Sequence, residues 1–313
     1  MSGERRAIGL ADLPEVGRAV VTLGVFDGVH LGHRTILEAT RQAAAAGGMS
    51  SLALVFDPPP VEVLWPGTRV ARLAPLAFNL ARIEKLVDRA IPIKFDGRVR
   101  QLSAEAFLDA LAPAVSLGGL TMSSRSAFGR DRGGTAANMQ QLGAERGFEV
   151  RLVEPVVVDG AIVSSTRIRA AIAEGDVEEA RALGVVPYLE GIVVVGDRRG
   201  RDLGFPTANL RFSYQPAMPS LGIYAGRLTE AGPSVTTGHP ALISIGTRPT
   251  FHDGSVVLTE VHLLDFDGDL YGMRLGVDLL ARLRDEQRFP DAAALVAQMQ
   301  RDAERGRAVL GIS

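Results

Sequence analysis

The feature that most constrains the first half of this chain is the ten-residue segment GVFDGVHLGH at positions 24–33. An apolar run typical of a strand, Val20 to Phe26, leads into it, and a helical pattern from Arg34 to Ala46 follows it. A turn from a strand into a helix leaves backbone N–H groups and the positive end of the helix pointing outward. The segment therefore predicts a site for the phosphates of a nucleotide.

The two histidines of this segment, His30 and His33, also allow other interpretations. They could cap the helix, or they could bind a metal ion. A zinc site needs a third and a fourth ligand of suitable type, and the chain has no cysteine. Gly24, Gly28 and Gly32 permit close approach of the backbone to a ligand, which favours the phosphate interpretation.

Composition limits the class of protein. The length of 313 residues predicts two domains, and an apolar fraction of 46% is sufficient for two cores. A net charge of −2 does not favour nucleic acid or an anionic membrane as a partner. The sequence has no apolar signal core near its start, no 18-residue apolar run and no cysteine. We therefore expect a cytosolic protein that has no membrane or nucleic-acid partner.

Lysine is nearly absent, and this excludes one common ATP-binding device. Among 34 basic residues only Lys85 and Lys94 are lysines. A Walker A loop needs a Gly-Lys pair followed by Ser or Thr, and the sequence has no Gly-Lys pair. Any ATP bound by this chain must be held in another way.

The first half alternates strand-like and helical segments. Such alternation predicts a doubly wound parallel sheet that binds ligands at the carboxyl edge of its strands, where His30 and His33 fall. The expected strands are Val20–Phe26 and Ser51–Phe56, and the expected helices are Arg34–Ala46, Leu76–Asp88, Ala104–Leu111, Ala136–Arg146 and Thr166–Ala173.

The pattern changes near Gly184, after which short β-rich runs are separated by Gly, Pro and Asp turns. This pattern predicts an antiparallel barrel, closed by a helix from about Asp291 to Leu310. The expected strands are Ile192–Val195, Gly222–Leu228, Ala241–Ile245, Val256–Asp265 and Leu275–Leu280. We therefore expect one domain over residues 1–186 and a second over 187–313.

The segment GDRRGRDLGFPTANL at positions 196–210 is the richest of the second half. Its glycines supply tight turns, its arginines neutralise phosphate charge, and the side-chain oxygens of Thr207 and Asn209 suit magnesium. The alternative is a solvated hairpin loop with a proline bend.

Several segments resemble one known family. GVFDGVHLGH is similar to the HxGH signature of nucleotidyltransferases and to the start of the adenylyltransferase module of bacterial bifunctional riboflavin kinase/FAD synthetases. VSSTRIR at 163–169 is similar to that family's SSTxIR motif. FPTAN, GIYAG, ISIGTRPTF, EVHLLDFDGDLYG and LRDEQRF follow in the order of its flavokinase motifs. The resemblance implies an N-terminal nucleotidyltransferase-like domain and a C-terminal riboflavin kinase barrel.

The resemblance also implies substrates and residue roles. ATP would phosphorylate riboflavin to FMN in the barrel and adenylylate FMN to FAD in the first domain. In the barrel it implies Glu260 as the catalytic base and Thr207 and Asn209 as ligands of Mg²⁺. The remaining barrel positions implied to bind nucleotide are Gly196, Gly200, Gly204 and Pro206. The three other histidines, His239, His252 and His262, receive no chemical role.

In the first domain the resemblance implies that His30, His33 and Arg169 act on the phosphates. The other positions implied to bind nucleotide are Gly24, Phe26, Asp27, Gly28, Gly32, Ser164, Ser165 and Thr166. Arg167 could equally be a surface residue.

The first domain departs from the family at three places. Pro59 stands where FxPHP has histidine, and Phe78 and Asn79 lie where an acidic–basic pair is usual. In SSRSAFG at 123–129, Arg125 replaces a small acid or amide and Ser126 replaces an aromatic residue. We expect weak FMN binding and slow FAD formation for this reason. Arg125 could instead grip the FMN phosphate with its guanidinium.

These departures leave two further possibilities open. The first is a monofunctional riboflavin kinase whose N-terminal domain has become a nucleotide-binding or regulatory module. The second is a non-catalytic binder of flavin or RNA, against which the acidic pI of about 6.2 and the intact PTAN and Glu260 argue.

Overall fold

A computed structural model describes residues 5–196, 205–230, 235–249 and 255–312. The contacts of these residues divide the chain into two compact units, which we treat separately. Unit 1 is formed by the described residues of Met1–Val70 and Pro75–Ser165, and unit 2 by those of Ala71–Ala74 and Thr166–Ser313. A domain boundary at residue 186, in the sense of independent folding, stays a prediction.

Unit 1 is built on a five-stranded sheet with the strand order β3-β2-β1-β4-β5, in which every pair is parallel. Its strands are β1 Gly17–Gly24, β2 Ser50–Asp57, β3 Arg89–Lys94, β4 Val115–Ser123 and β5 Glu149–Val153, followed by a small hairpin of β6 Val157–Val158 and β7 Ala161–Ile162. Its helices are α1 Leu31–Ala46, α2 Pro60–Leu64, α3 Leu76–Ile83, α4 Gly97–Gln101, α5 Ala104–Leu111 and α6 Ala136–Arg146. The predicted doubly wound sheet is confirmed.

The sequence of β2, SSLALVFD, explains why helices cover both faces of this sheet. Leu52 and Leu54 enter one apolar core, while Ala53 and Val55 enter a second core on the opposite face. Alternate residues of a strand point to opposite faces, so a continuous apolar run must be buried on both.

Strand β1 marks the point where the order of the sheet reverses. The chain moves outward from β1 to β2 and β3 on one side and then returns to place β4 and β5 on the other. In open parallel sheets this reversal leaves a crevice at the carboxyl ends of the two strands that flank it. The fold therefore creates a ligand-binding position between the ends of β1 and β4.

Some predicted boundaries differ from the observed ones. Strand β1 ends at Gly24 because Phe26 adopts a left-handed conformation with φ of 50°. Helix α3 ends at Ile83 rather than Asp88. Strands β3, β4 and β5 were not predicted. Their signals are weak because β3 contains a proline, β4 contains two glycines and β5 is a half-exposed edge strand.

Unit 2 contains the predicted antiparallel barrel, which is closed in the order β10-β11-β12-β9-β8-β13. Its strands are β8 Tyr188–Val194, β9 Ala208–Arg211, β10 Gly222–Glu230, β11 Pro240–Pro249, β12 Ser255–Leu263 and β13 Arg274–Arg284. Its helices are α7 Ser165–Glu174, which begins on the last residue of unit 1, α8 Val177–Ala182 and α9 Ala292–Leu310.

Inside the barrel, alternate residues of neighbouring strands form one apolar core. Tyr224, Ile243, Val261 and Val277 are all almost fully buried there. The residues between them on each strand face outward, and on β12 these include Glu260. Strand β9 was not predicted, since it has only four residues and follows directly on a proline-containing segment.

The ends of the helices follow local capping chemistry. Helix α9 begins after Asp291, whose carboxylate accepts a hydrogen bond of 2.8 Å from the Ala294 N–H.

Within the described part of the chain, no helix is long and apolar enough to cross a membrane.

The packing of α6 on β5 leads to a stability prediction. A Cβ at Gly143, in α6, would lie 2.6 Å from the Phe148 carbonyl oxygen and 2.9 Å from Val150 Cγ2. We expect Gly143→Ala to lower the unfolding free energy of unit 1 by about 1–3 kcal/mol, because overpacking exceeds the gain in helix propensity.

The matched control for this variant is Gly97→Ala at the start of α4, where a Cβ meets nothing within 4 Å. It should leave stability unchanged or raise it slightly. Chemical denaturation followed by far-UV circular dichroism measures both variants, and equal stability of the two would contradict the packing argument.

Candidate functional site

A cavity of about 500 Å³ lies at the reversal point of the unit 1 sheet. The end of β1, with Thr22 to Gly24, forms one part of its wall, and the end of β4, with Met122 and Ser123, forms another. The volume is within the range of roughly 300–1,000 Å³ that is common for small-molecule sites. The structure thus places a cavity where the strand order predicts a ligand.

His30 and His33 both line this cavity. His30 is the N-cap residue of α1, and its Nδ1 accepts a hydrogen bond of 3.3 Å from the His33 N–H. A neutral imidazole that accepts through Nδ1 carries its proton on Nε2, so this nitrogen is a donor. The two rings stack with centroids 3.6 Å apart. The N-terminus of a 16-residue helix and two histidines therefore meet at the cavity.

Gly24 and Gly32, two of the predicted glycines, line the same cavity and leave space for the rings of Phe26 and His30, respectively. A Cβ at Gly32 would lie 3.3 Å from His30 Cε1, and a Cβ at Gly24 would lie 3.2 Å from the Phe26 ring. Both distances are tighter than ordinary contacts, so a larger residue would displace the His30 or the Phe26 ring.

The loop between β1 and α1 is held by a buried amide that the sequence analysis did not assign. Asn79 Oδ1 accepts a hydrogen bond of 3.0 Å from the Gly28 N–H, and Asn79 Nδ2 donates to Asp27 Oδ1 at 3.4 Å. Asp27 and Asn79 are only 2% and 3% exposed. Asp27 was predicted to contact nucleotide, and the structure shows its carboxylate buried within the loop and bonded to Asn79. The one available signal was an amide on the apolar face of α3.

The residues of the SSTxIR-like segment are placed at the start of α7. Ser165 Oγ donates to the Asp27 carbonyl oxygen at 3.2 Å, which ties the start of this helix to the loop. Arg169 Nε donates to the Ala71 carbonyl oxygen at 2.6 Å. The predicted contacts of Ser164, Thr166 and Arg169 with phosphate stay predictions.

In unit 2, Glu260 and Asn209 lie directly opposite each other on the antiparallel strands β12 and β9. Thr207 precedes β9, and its Oγ1 lies 3.4 Å from Glu260 Oε1. All three side chains are half-buried. The barrel thus brings together the carboxylate, the hydroxyl and the amide that the sequence singled out.

Gly196 contributes to this cluster by having no side chain. A Cβ at Gly196 would lie 2.3 Å from Asn209 Nδ2 and 2.9 Å from Asn209 Oδ1, so only glycine leaves room for the amide. Gly200, Gly204 and His252, which the sequence analysis also named, lie outside the described residues.

His262 holds the segment that carries Thr207. Its Nδ1 lies 2.8 Å from the Pro206 carbonyl oxygen and donates to it, which places the proton of the neutral ring on Nδ1. Burial lowers the pKa of His262, although this hydrogen bond acts in the opposite direction. His262 belongs to no residue pattern with a chemical role, and its position two residues after Glu260 was the only signal in the sequence. His239, by contrast, hydrogen-bonds the Leu264 carbonyl oxygen.

A larger cavity, of about 910 Å³, adjoins this cluster in unit 2. Phe205, Thr207, His262, Asp265 and Tyr271 are among the residues that line it. It therefore combines aromatic surface with polar groups, as sites for nucleotides and similar ligands do.

Comparisons with known proteins agree with both units. The family model described as riboflavin kinase matches residues 183–310, and the model described as FAD synthetase matches residues 13–167. A bifunctional riboflavin kinase/FMN adenylyltransferase of Pseudomonas fluorescens is 38% identical over 95% of this chain and 94% of its own length. The protein described in the same words from Escherichia coli (strain K12) is 34% identical over 97% of this chain and 96% of its own.

Among solved structures, a crystal structure of a macrolide-efflux protein from Streptococcus pneumoniae matches with a TM-score of 0.85 and 31% identity, over 96% of this chain and 97% of that one. The fold and the two sites define a two-domain transferase class with one nucleotidyl-transfer and one phosphoryl-transfer unit. Within that class, the chain belongs to the family of bifunctional riboflavin kinases/FMN adenylyltransferases.

The Asn79 clamp leads to a prediction for the loop of unit 1. Asn79→Ala leaves the buried Gly28 N–H without its acceptor, which costs about 1–3 kcal/mol. We expect faster amide hydrogen exchange over residues 26–30 and a lower unfolding midpoint. The control is Asn138→Ala, which removes an exposed hydrogen bond from the Asn138 side-chain amide to the Gly133 carbonyl oxygen. It should leave both measurements unchanged. Unchanged exchange in Asn79→Ala would refute the clamp.

The pKa of His262 leads to a prediction for barrel stability. Because the folded state lowers this pKa below the unfolded value of about 6.5, the folded state binds a proton less readily. The stability contributed by neutral His262 is present above pH of about 6.5 and is lost as the pH falls below it. His262→Gln cannot titrate, so the decline of its unfolding midpoint between pH 7 and pH 5.5 should be smaller.

His239→Gln is the matched control for this experiment, because it replaces another hydrogen-bonded histidine of the barrel. Differential scanning calorimetry across this pH range measures all three proteins. Parallel pH profiles for the parent and His262→Gln would show that His262 is not the titrating group.

Proposed function

We propose that this chain makes FAD in two ATP-dependent steps, phosphorylating riboflavin to FMN in unit 2 and adenylylating FMN to FAD in unit 1. The observation that carries the proposal is the Glu260–Asn209–Thr207 cluster beside a large cavity. The matches of both family models over nearly the whole chain support the two-step function over a kinase with a degenerate first domain. The substrates are riboflavin, FMN and ATP.

In the phosphoryl transfer, Glu260 is the general base. It accepts the proton of the primary hydroxyl of riboflavin as that oxygen bonds to the γ-phosphorus of ATP and the bond to ADP breaks. Half-burial keeps the carboxylate accessible to substrate, and the Thr207 hydroxyl beside it orients one carboxylate oxygen.

The residues of this cluster fit a magnesium ion. The Thr207 hydroxyl and the Asn209 amide oxygen are hard oxygen ligands, and Gly196 leaves the space that the amide needs. When bound, Mg²⁺ would neutralise charge on the phosphate oxygens of ATP. Thr207 and Asn209 would hold it, and His262 fixes the Pro206 carbonyl at the entry to this segment.

In the nucleotidyl transfer, a phosphate oxygen of FMN attacks the α-phosphorus of ATP, and pyrophosphate leaves. The reaction requires stabilisation of phosphate charge and no covalent intermediate with the enzyme. His30 Nε2, His33 and the N-terminus of α1 supply donors and positive potential at the cavity of unit 1. We propose that the hydroxyls of Ser164 and Ser165, in the same unit, also contact phosphate, and the phosphate roles of Thr166 and Arg169 stay predictions. Since ATP serves both steps, we place the protein in the cytosol.

A pair of substitutions tests the kinase assignment. Glu260→Gln keeps the size of the side chain and removes the base, so the turnover of riboflavin phosphorylation should fall about 100-fold or more. Formation of FAD from supplied FMN and ATP should be unchanged. Chromatography of the flavins after incubation with ATP and magnesium measures both reactions.

The control is Glu304→Gln on the exposed face of α9, which should phosphorylate riboflavin at the parent rate. A parent rate in Glu260→Gln would refute the assignment of the base. A parent protein that forms FMN from riboflavin but no FAD would refute the proposed function of unit 1.

A further inference from the structure

The cavity of unit 1 contains an arginine where the family pattern has a small acid or amide. Arg125 follows β4 and lines the cavity together with His30 and His33. Resting on the proposed adenylyl transfer, we propose that Arg125 is a phosphate-binding group of this cavity and grips a substrate phosphate with its guanidinium.

The loop that carries Arg125 is a closed turn built from serines. The Ser126 N–H and Oγ both donate to the Ser123 carbonyl oxygen, at 3.0 and 2.9 Å. The Arg125 N–H points to Ser123 Oγ at 3.4 Å. Ser126 therefore has a structural use in this chain, since its hydroxyl closes the turn from which Arg125 extends.

A second pair of bonds fixes the turn to the neighbouring strand. The Ser124 N–H donates to the Val153 carbonyl oxygen at 3.0 Å, and Ser124 Oγ donates to Glu154 Oε2 at 2.9 Å. Glu154 is the acidic residue that lines the cavity, and the serine hydroxyl engages its carboxylate. Three serines in SSRS thus position the single arginine between them.

The guanidinium of Arg125 has no hydrogen bond or ion pair with any residue that the structure describes. Its five N–H donors remain available, and their planar arrangement matches two oxygens of one phosphate group. The same cavity already has the positive end of α1 and the His30 Nε2 donor. Arg125, on a turn held by these hydrogen bonds, is a third phosphate-binding element. With it, the cavity is suitable for a ligand that has more than one phosphate group.

Two substrates of the proposed reaction carry the required chemistry. One is the phosphate monoester of FMN, and the other is the polyphosphate of ATP, which leaves as pyrophosphate. Both groups are phosphate oxyanions, so the proposal concerns a phosphate ligand. The experiment distinguishes whether that phosphate belongs to FMN or to ATP.

The test uses full-length Arg125→Gln and Arg125→Lys beside Arg100→Gln, an exposed arginine of α4, as the matched control. We measure kcat and KM for FMN and for ATP in FAD synthesis, and KM for pyrophosphate in the reverse reaction. Arg125→Gln should raise KM for the substrate it contacts about 10- to 100-fold. Arg125→Lys, which keeps the charge without the planar fork, should lie between it and the parent. Riboflavin phosphorylation should be unchanged in all three.

Each result is decisive. A rise confined to KM for FMN supports the proposal with the acceptor phosphate as ligand, and a rise in KM for ATP and pyrophosphate supports it with the polyphosphate. Parent values of all three constants in Arg125→Gln overturn it.

If the parent protein makes no FAD, the proposed function of unit 1 is wrong. The phosphate-binding role of Arg125 is then tested by the affinity of each variant for pyrophosphate without magnesium. Isothermal calorimetry measures it in the same variants. Weaker binding by Arg125→Gln than by Arg100→Gln supports the phosphate-binding role, and equal binding overturns it.

Discussion

The geometry of the unit 1 site depends on a buried hydrogen bond between the Gly28 N–H and Asn79 Oδ1. The loop around Gly28 contains two non-glycine residues in the left-handed region, Phe26 with φ of 50° and Val29 with φ of 48°. Each such residue costs on the order of 1–3 kcal/mol and persists only when its surroundings fix it. The Asn79 amide fixes both ends of the intervening turn through Asp27 and Gly28. His30 can therefore begin α1 in the orientation that caps it.

In unit 2 the corresponding constraint is strand register. Antiparallel pairing places Asn209 opposite Glu260, and alternation along β12 places Glu260 and His262 on the outer face while Val261 enters the core. A slip of one residue would bury the carboxylate and expose the valine, so the apolar core itself specifies the position of the proposed base. The bond from His262 to the Pro206 carbonyl then holds the short segment before β9 in place.

The sequence was sufficient for the fold class, for the existence of the helices of eight or more residues and for the strand-to-helix turn, because each carries a strong local pattern, whereas the short helices α2, α4 and α8 were not predicted. Helices Ala104–Leu111 and Ala136–Arg146 were predicted with the observed bounds, since each begins after a Ser or Thr cap that the structure confirms. Strands β3, β4 and β5 carry a proline, glycines or an exposed edge, and β9 has only four residues, so all four owe their conformation to pairing with neighbours. Local patterns do not contain that information.

In the two candidate sites, likewise, the residues that stand in sequence motifs could be predicted, and those that act through tertiary contacts could not. His30, His33, Thr207, Asn209 and Glu260 stand in motifs, and the structure brings the first two together in one cavity and the last three into one cluster. Asn79 and His262 act through tertiary hydrogen bonds to residues 51 and 56 positions away, so no local pattern could reveal their part. Ser126 was interpreted as the loss of an aromatic residue, because no local pattern shows that its hydroxyl donates to the Ser123 carbonyl oxygen.

Under the proposed function, both units bind a triphosphate in a chain that has only two lysines, and the proposed contacts differ between them. Unit 1 offers backbone N–H groups at a helix terminus and imidazole donors, which act on phosphate without a flexible ammonium group. In unit 2 the proposed contacts are the oxygens of Thr207 and Asn209, which would bind phosphate through a magnesium ion that they share with it. Under the proposed function, the nucleotidyl-transfer site would contact phosphate through donors of the protein, whereas the phosphoryl-transfer site would also use the charge of a bound metal ion. The proposed role of Arg125 would add a fixed cation to these protein contacts in unit 1.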